Sequence, residues 1–207
     1  MALEIFRIAA GWTAFALVHS LTVSDPYHAW LRRQVGDTLF LAFNRLAYTV
    51  LSLATFISLV IYLRALPDSP LYAIPGPWRY ILRGGQLCAL LFLLKTPLSV
   101  FSFLGFQEAA AFLRGARPAV LDSPPRLYTQ KTYGIVRHPL YLGCSVLLAF
   151  QPDQTLVSCV SSLMAILYFY VGTFHEERRL LKEFGEAYRI YQGAVPRLLP
   201  LRIHKRK

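Results

Sequence analysis

The stretch Tyr133-Gly134-Ile135-Val136-Arg137-His138-Pro139-Leu140-Tyr141-Leu142-Gly143 marks the point where a polar, basic segment becomes an apolar one. Proline has no N–H and a preset φ, so it suits the first turn of a helix. It also disfavours helical backbone at the residue before it. A helix is therefore expected to start at Pro139, with His138 extended. The unpaired N–H groups of that helix start lie towards Arg137 and His138, an arrangement suited to a carboxylate or phosphate. Gly143, one turn on, carries no side chain and lets another group approach the backbone.

Outward from this stretch, the chain is dominated by apolar runs. Of its 207 residues 55% are hydrophobic and 16% charged, against about a quarter charged in soluble domains. The runs cover 5–21, 40–63, 80–106, 139–150 and 155–174. They predict an all-α, multi-pass transmembrane helical bundle of about five spans. Lys95-Thr96-Pro97 predicts a kink or an early end in the third. The fourth rises only about 18 Å, short of a ~30 Å hydrocarbon core. A short polar turn over 151–154 joins it to the fifth, so the last two spans form a helical hairpin.

Between the runs, 22–39 reads as a loop with Tyr27 and Trp30 as interfacial anchors. The proline-rich 67–77 reads as an irregular loop. The longest polar stretch is 107–137. After His175 the pattern is amphipathic, with Glu177, Leu181, Phe184, Tyr188 and Tyr191 on one face of a C-terminal helix that Gly193 ends. A basic tail over 201–207 closes the chain.

The net charge of +11 sits in loops and at the C-terminus, beside apolar spans. It therefore reads as charge facing a membrane surface, with membrane lipids and not nucleic acid as its partners. Cys88, Cys144 and Cys159 lie inside apolar segments without metal-ligand spacing, so no metal is expected. The N-terminal apolar run lacks a basic n-region and a small-residue cleavage site, and reads as a retained span. Lys and Arg crowd 107–137 and the tail from His175, and are missing from 151–154. The positive-inside rule then places the C-terminal helix in the cytoplasm. Under that topology His19, Asn44, Arg45, Gln107, His138, Glu176 and Glu177 share one membrane face, which implies a polar pocket there.

Simpler readings stand beside these. Arg178 and Arg179 suffice to neutralise Glu176 and Glu177, His19 suits a hydrogen bond to a neighbouring helix, and Lys95 suits snorkelling. His175-Glu176-Glu177-Arg178-Arg179 is not a zinc-protease motif, because Arg179 stands where the second histidine belongs. From the residues alone, the chain holds a membrane-embedded pocket for a charged ligand.

The combination Gly134-x-x-Arg137-His138-Pro139-x-Tyr141-x-Gly143, a hairpin, Glu176-Glu177, Phe184-Gly185-x-x-Tyr188 and Val195-Pro196 resembles the isoprenylcysteine carboxyl methyltransferase superfamily, over about 103–200. The front part, with His19-Ser20 and Asn44-Arg45, resembles its NnrU and methanethiol S-methyltransferase branches. The resemblance implies a single integral membrane domain over 1–207, with a methyltransferase core over 107–200 in a bacterial inner membrane. It implies S-adenosylmethionine as cofactor, leaving as S-adenosylhomocysteine. Tyr133, Gly134, Arg137, His138, Pro139, Tyr141, Gly143, Glu176, Glu177 and Tyr188 are the implied cofactor-binding residues. His19 and Arg45 are candidates for orienting the acceptor, and with Glu177 make up the candidate catalytic set. The expected acceptor is a small or membrane-soluble thiol. The alternatives are a prenylcysteine carboxylate, a lipid amine, or a non-catalytic NnrU-like membrane protein. Nothing in the sequence sets the oligomeric state.

Overall fold

The computed structural model describes residues 1–97, 104–116 and 126–201. Residues 98–103 of the third expected span, the stretch 117–125 and the tail from Arg202 lie outside the described residues. In chain order the elements are α1 (Ala2–Thr22), α2 (Asp25–Val35), α3 (Asp37–Arg64), β1 (Pro70–Ala73), α4 (Gly76–Leu94), α5 (Phe106–Leu113), a 3-10 turn (Lys131–Gly134), α6 (Pro139–Ala149), β2 (Asp153–Thr155), α7 (Leu156–Phe184) and α8 (Glu186–Ala194). Helices α1, α3 and α7, of 21, 28 and 29 residues, are long and apolar enough to cross a membrane. At 1.5 Å per residue each reaches roughly 30 Å or more. The protein is thus a mostly helical membrane protein. Helices α4 and α6, of 19 and 11 residues, fall short of that standard.

The described residues form two compact units, 2–66 with 104–116, and 67–97 with 127–201. In the first, α1 and α3 run antiparallel. Arg7, Gly11, Phe15 and His19 recur every four residues on one face of α1, and meet α3 in descending order. The Tyr62 hydroxyl donates to Arg7 O at 3.2 Å. A Cβ on Gly11 would stand 2.9 Å from the Tyr62 ring and 3.1 Å from Leu59, so the close approach needs glycine. Phe15 packs edge-on to Phe56 with ring centroids 5.9 Å apart.

Residues 22–39, expected as a loop, hold α2 instead. Ser24 caps it by accepting the Tyr27 N–H at 3.4 Å, Pro26 occupies its first turn, and Gly36 at φ 81° ends it. Gly105, at φ 84°, starts α5 so close to α3 that a Cβ would stand 2.5 Å from Leu46 N.

In the second unit the proline-rich segment is not irregular throughout. Its β1 pairs antiparallel with β2, setting Tyr72 opposite Gln154 and Ala73 opposite Asp153. The turn over 151–154 thereby becomes part of a two-stranded ribbon. Around it, Asp68 Oδ1 accepts the Val157 N–H at 3.0 Å, Leu156 N–H donates to Ser69 O at 2.8 Å, and Arg79 pairs with Asp153 at 2.7 Å. Thr155 and Ser158 form a capping box that starts α7.

The third expected span ends early, as Lys95-Thr96-Pro97 predicts: α4 stops at Leu94 with Lys95 as its cap. Helix α4 packs against α6 through two glycines. Gly85 faces the Phe150 ring, Gly143 faces Leu93, and Gln86 donates to Leu147 O at 2.9 Å between them. Helix α6 also packs on α7, which gives the expected hairpin.

The amphipathic helix expected to end at Gly193 is two helices. Helix α7 runs unbroken from its apolar part through Phe184. Gly185, at φ 55°, then turns the chain into α8. Helix α8 ends at Ala194, within a residue of Gly193.

Candidate functional site

Pro139 opens α6 as its ring dictates, and His138 before it is non-helical at φ −124°, ψ 67°. Beside that helix start, the backbone of 137–138 pairs with the segment after α8. Arg137 N–H donates to Pro196 O at 2.9 Å, and His138 N–H to Arg197 O at 3.2 Å. The Arg137 guanidinium closes the end of α8, donating to Gln192 O at 2.8 Å and to Val195 O at 2.7 Å. Cations are favoured at a helix C-terminus by the unpaired carbonyls and the dipole.

Glu177, on α7, is the centre of the site. Its Oε1 accepts from Arg137 Nε at 2.8 Å and lies 2.8 Å from Arg137 Nη2. The same oxygen meets His138 Nε2 at 3.2 Å and Arg197 Nε at 3.2 Å. Its Oε2 accepts from Gln192 Nε2 at 3.0 Å and Arg197 Nη2 at 2.9 Å. A carboxylate this deeply buried requires such partners, and here two arginines supply them.

His138 bridges the two neighbouring glutamates, with Nδ1 3.4 Å from Glu176 Oε2 and Nε2 on Glu177. Burial works against an imidazolium at this position. The hydrogen bonds and charges of Glu176 and Glu177 outweigh it and hold the His138 pKa above its ordinary value. Both ring nitrogens then act as donors. Tyr141 stacks on the His138 ring at 5.7 Å, and Phe169 stacks on Tyr141 at 5.7 Å. The Arg197 guanidinium lies 3.9 Å over the Phe174 ring.

Two tyrosines of α8 complete the inner wall. Burial pushes the Tyr191 hydroxyl up to about 12, so it stays protonated and donates to Tyr133 O at 2.7 Å. Tyr188 is 1% exposed, burial raises its pKa, and its hydroxyl has no hydrogen-bond partner among the described residues. Buried hydroxyls are usually paired, so this oxygen is available to a bound group or a water.

The structure thus brings Tyr133, Gly134, Arg137, His138, Pro139, Tyr141, Glu176, Glu177 and Tyr188 into one unit. Gly143 is in the same unit, and the group that approaches it is Leu93, to which a Cβ would come within 2.5 Å. His19 and Arg45 belong to the other unit. There His19 contacts the Tyr48 hydroxyl and Ser52, and Arg45 Nη1 lies 3.8 Å from Glu108 Oε1. Sequence reasoning missed Gln192 and Arg197. The one signal for Arg197 was its place directly after Val195-Pro196, and it reads in sequence as one more charge of a basic C-terminus.

Exposure separates these groups into two sets. The side chains of Arg137, His138 and Glu177 are 9%, 4% and 5% exposed, whereas Glu176 keeps 36% and Arg197 29%. An incoming ligand therefore meets a carboxylate and a guanidinium, held from beneath by a fixed ionic base. A zwitterionic amino-acid group, with its own carboxylate and ammonium, matches that pair. With the unpaired Tyr188 hydroxyl, these residues fit the methionyl part of S-adenosylmethionine. Among the described residues there is no cluster of His, Cys, Asp and Glu able to hold a metal ion.

Known proteins resemble this chain over most of its length. No solved structure matches the chain at a significant level. The methanethiol S-methyltransferase of Pseudomonas deceptionensis is 33% identical over 190 residues, covering 91% of this chain and 70% of its own. Methanethiol S-methyltransferase 2 of Bradyrhizobium diazoefficiens is 31% identical over 199 residues, covering 93% and 72%. The methanethiol S-methyltransferase of Pseudomonas sp. strain GM41(2012) is 29% identical over 197 residues, covering 92% and 71%. The family described as NnrU protein matches residues 7–192, which takes in both units and the whole ionic cluster except Arg197. The chain belongs to the NnrU protein family.

Proposed function

We propose that this protein is an integral membrane methyltransferase that uses S-adenosylmethionine and methylates a small thiol, with methanethiol the first acceptor to test. The observation that carries the reading is the half-open pair Glu176 and Arg197 on a buried base of Arg137, His138 and Glu177. The names of the three relatives support the same chemistry.

When bound, S-adenosylmethionine supplies an electrophilic methyl group on a sulfonium sulfur and leaves as S-adenosylhomocysteine. Arg197 holds the carboxylate of the methionyl group, and Glu176 its ammonium. Arg137, His138 and Glu177 fix those two side chains in place. Tyr188 donates its hydroxyl proton to the bound group, and Tyr133, Gly134, Pro139, Tyr141 and Gly143 shape the wall around it. His19 and Arg45 orient the acceptor. A thiolate attacking a sulfonium annihilates charge, and exclusion of water on binding would strengthen their attraction. The basic residues of 107–137 and of the C-terminal segment support a site on the cytoplasmic side of a bacterial inner membrane.

A second reading is favoured by one observation: Glu177 is fully satisfied by the protein's own groups. A non-catalytic member of the family that binds a ligand, or none, would need no more. Calorimetry with S-adenosylmethionine on detergent-purified protein separates the two, together with headspace detection of dimethyl sulfide from methanethiol. Saturable binding and product formation are expected. Folded protein that binds no cofactor would establish the second reading. Binding without dimethyl sulfide would redirect the search to a prenylcysteine carboxylate or a lipid amine.

A further inference from the structure

Helix α5 lies where α3 enters the membrane. Helix α1, of 21 residues, is about as long as the ~30 Å hydrocarbon core is thick. His19, one turn before the end of α1, contacts Tyr48 of α3. The end of α1, and with it one edge of the core, therefore comes level with the part of α3 near Arg45. Helix α5 packs on that part. It starts with Gly105 against the Leu46 backbone, and its Phe112 ring meets Phe43 edge-on with centroids 5.3 Å apart. Its start is thus the deeper end and Arg114 the shallower. Glu108, 7% exposed, is turned to the α3 side, where its Oε1 lies 3.8 Å from Arg45 Nη1. The other side of α5 carries a groove of about 360 Å³, lined by Phe106, Gln107, Ala110, Ala111 and Arg114. All five belong to the first unit. Phe106 and Arg114 stand about 12 Å apart along the helix axis. Neither the Gln107 amide nor the Arg114 guanidinium has a hydrogen-bond or ion-pair partner among the described residues.

We propose that this groove is a binding site for one anionic phospholipid, with the phosphate on Arg114, a glycerol ester carbonyl on the Gln107 amide, and the upper part of an acyl chain along Phe106, Ala110 and Ala111. The order of the groups carries the assignment. The groove has a neutral donor at its deeper end and a cation at its shallower end, over an apolar floor. A phospholipid in a bilayer presents the matching order, with neutral ester carbonyls beneath an anionic phosphate. A fatty acid has its charge and its only carbonyl in one group, and leaves one of the two donors unused. Arginine suits the phosphate because its planar fork gives two parallel N–H donors. In a zwitterionic headgroup the phosphate is already balanced by its own cation, so an anionic headgroup gains more from Arg114. The site is independent of the methyltransferase reading, because every residue in it lies outside the ionic cluster around Glu177.

The test is native mass spectrometry of the intact, delipidated protein titrated with dioleoyl phosphatidylglycerol, dioleoyl phosphatidylcholine or oleate. The first phosphatidylglycerol is expected to bind about fivefold more tightly than the first phosphatidylcholine, the worth of one arginine near an anionic headgroup. Arg114→Gln is expected to remove that preference, and Gln107→Leu to weaken both phospholipids alike. Arg114 is exposed and follows the last turn of α5, so its replacement leaves the fold in place. A cation at a helix C-terminus also favours the helix itself. An arginine with that role alone would change stability and leave the lipid preference untouched. Equal affinity of the wild type for the two phospholipids, or a preference that survives Arg114→Gln, would overturn the site. Oleate binding as tight as phosphatidylglycerol would overturn it in favour of a fatty-acid groove. Hydrogen exchange gives the location: phosphatidylglycerol is expected to slow the amides of 106–114 in the wild type and not in Arg114→Gln. Protection confined to other segments would overturn the assignment to α5.

Discussion

Arg137 and Glu177 meet at 2.8 Å with side chains 9% and 5% exposed, although forty residues separate them in sequence. The pair is a buried ion pair with further hydrogen bonds on both partners. Its integrity therefore matters more than its net contribution. Replacing Glu177 with Ala leaves two arginines facing each other without their shared carboxylate. The expected loss is about 3–5 kcal/mol in unfolding free energy, read as a lowered melting temperature without cofactor. Glu177→Gln, which keeps the shape and two acceptor lone pairs, should lose less. Equal melting temperatures for wild type and Glu177→Ala would show that the cluster is not structural.

His138 gives the cluster a pH dependence whose sign is fixed. Its folded pKa is raised above the ordinary 6.5 by Glu176 and Glu177, against the opposing effect of burial. The stabilisation is fully present below the unfolded value and is lost as pH rises through the folded one. Cofactor-free wild type should therefore lose melting temperature on going upward from pH 6.5 more steeply than His138→Gln. Parallel profiles for the two proteins would remove the charged histidine from the account.

Gly143 tests the packing of α4 on α6. A Cβ there would stand 2.5 Å from Leu93 Cγ. Gly143→Ala should cost about 1–3 kcal/mol by overpacking. Adding Leu93→Ala removes the clash, so the double variant should be more stable than the sum of the single losses predicts. Strict additivity would mean that Gly143 serves something other than Leu93.

Arg197 tests the proposed cofactor role of the segment after α8. Lysine keeps the charge but loses the two-pronged grip on Glu177 and the flat stacking on Phe174. Arg197→Lys should weaken S-adenosylmethionine binding roughly tenfold, about the worth of one charge-assisted hydrogen bond, and Arg197→Ala more. Calorimetry that finds no change in either variant would exclude Arg197 from the cofactor site.

What the sequence made legible follows from the range of the interactions involved. The start of α6 was readable because proline acts on its own residue and the one before it. The early end of α4 was readable at Lys95-Thr96-Pro97 for the same reason. Helix α2 was missed although Ser24-Asp25-Pro26 is a sound helix opening, because charged residues at 25, 32, 33 and 37 made the segment look like a loop. The break at Gly185 was missed because the apolar spacing from Leu181 and Phe184 to Tyr188 and Tyr191 continues across it. Only the positive φ of that glycine shows that two helices share the pattern. In the site, Arg137, His138, Glu176 and Glu177 were visible as residues in a motif. Their arrangement was not, since the carboxylate's second arginine lies twenty residues further on.

The ribbon of β1 and β2 also sets an order of events on the ribosome. Tyr72 leaves the exit tunnel long before Gln154, its partner, has been translated. Residues 2–66 of the first unit are made before Tyr72, and its segment 104–116 within that interval. The first unit can therefore finish inserting while the strand ahead of α4 still waits, and the second is sewn shut only when the chain reaches Val157 and its N–H reaches Asp68.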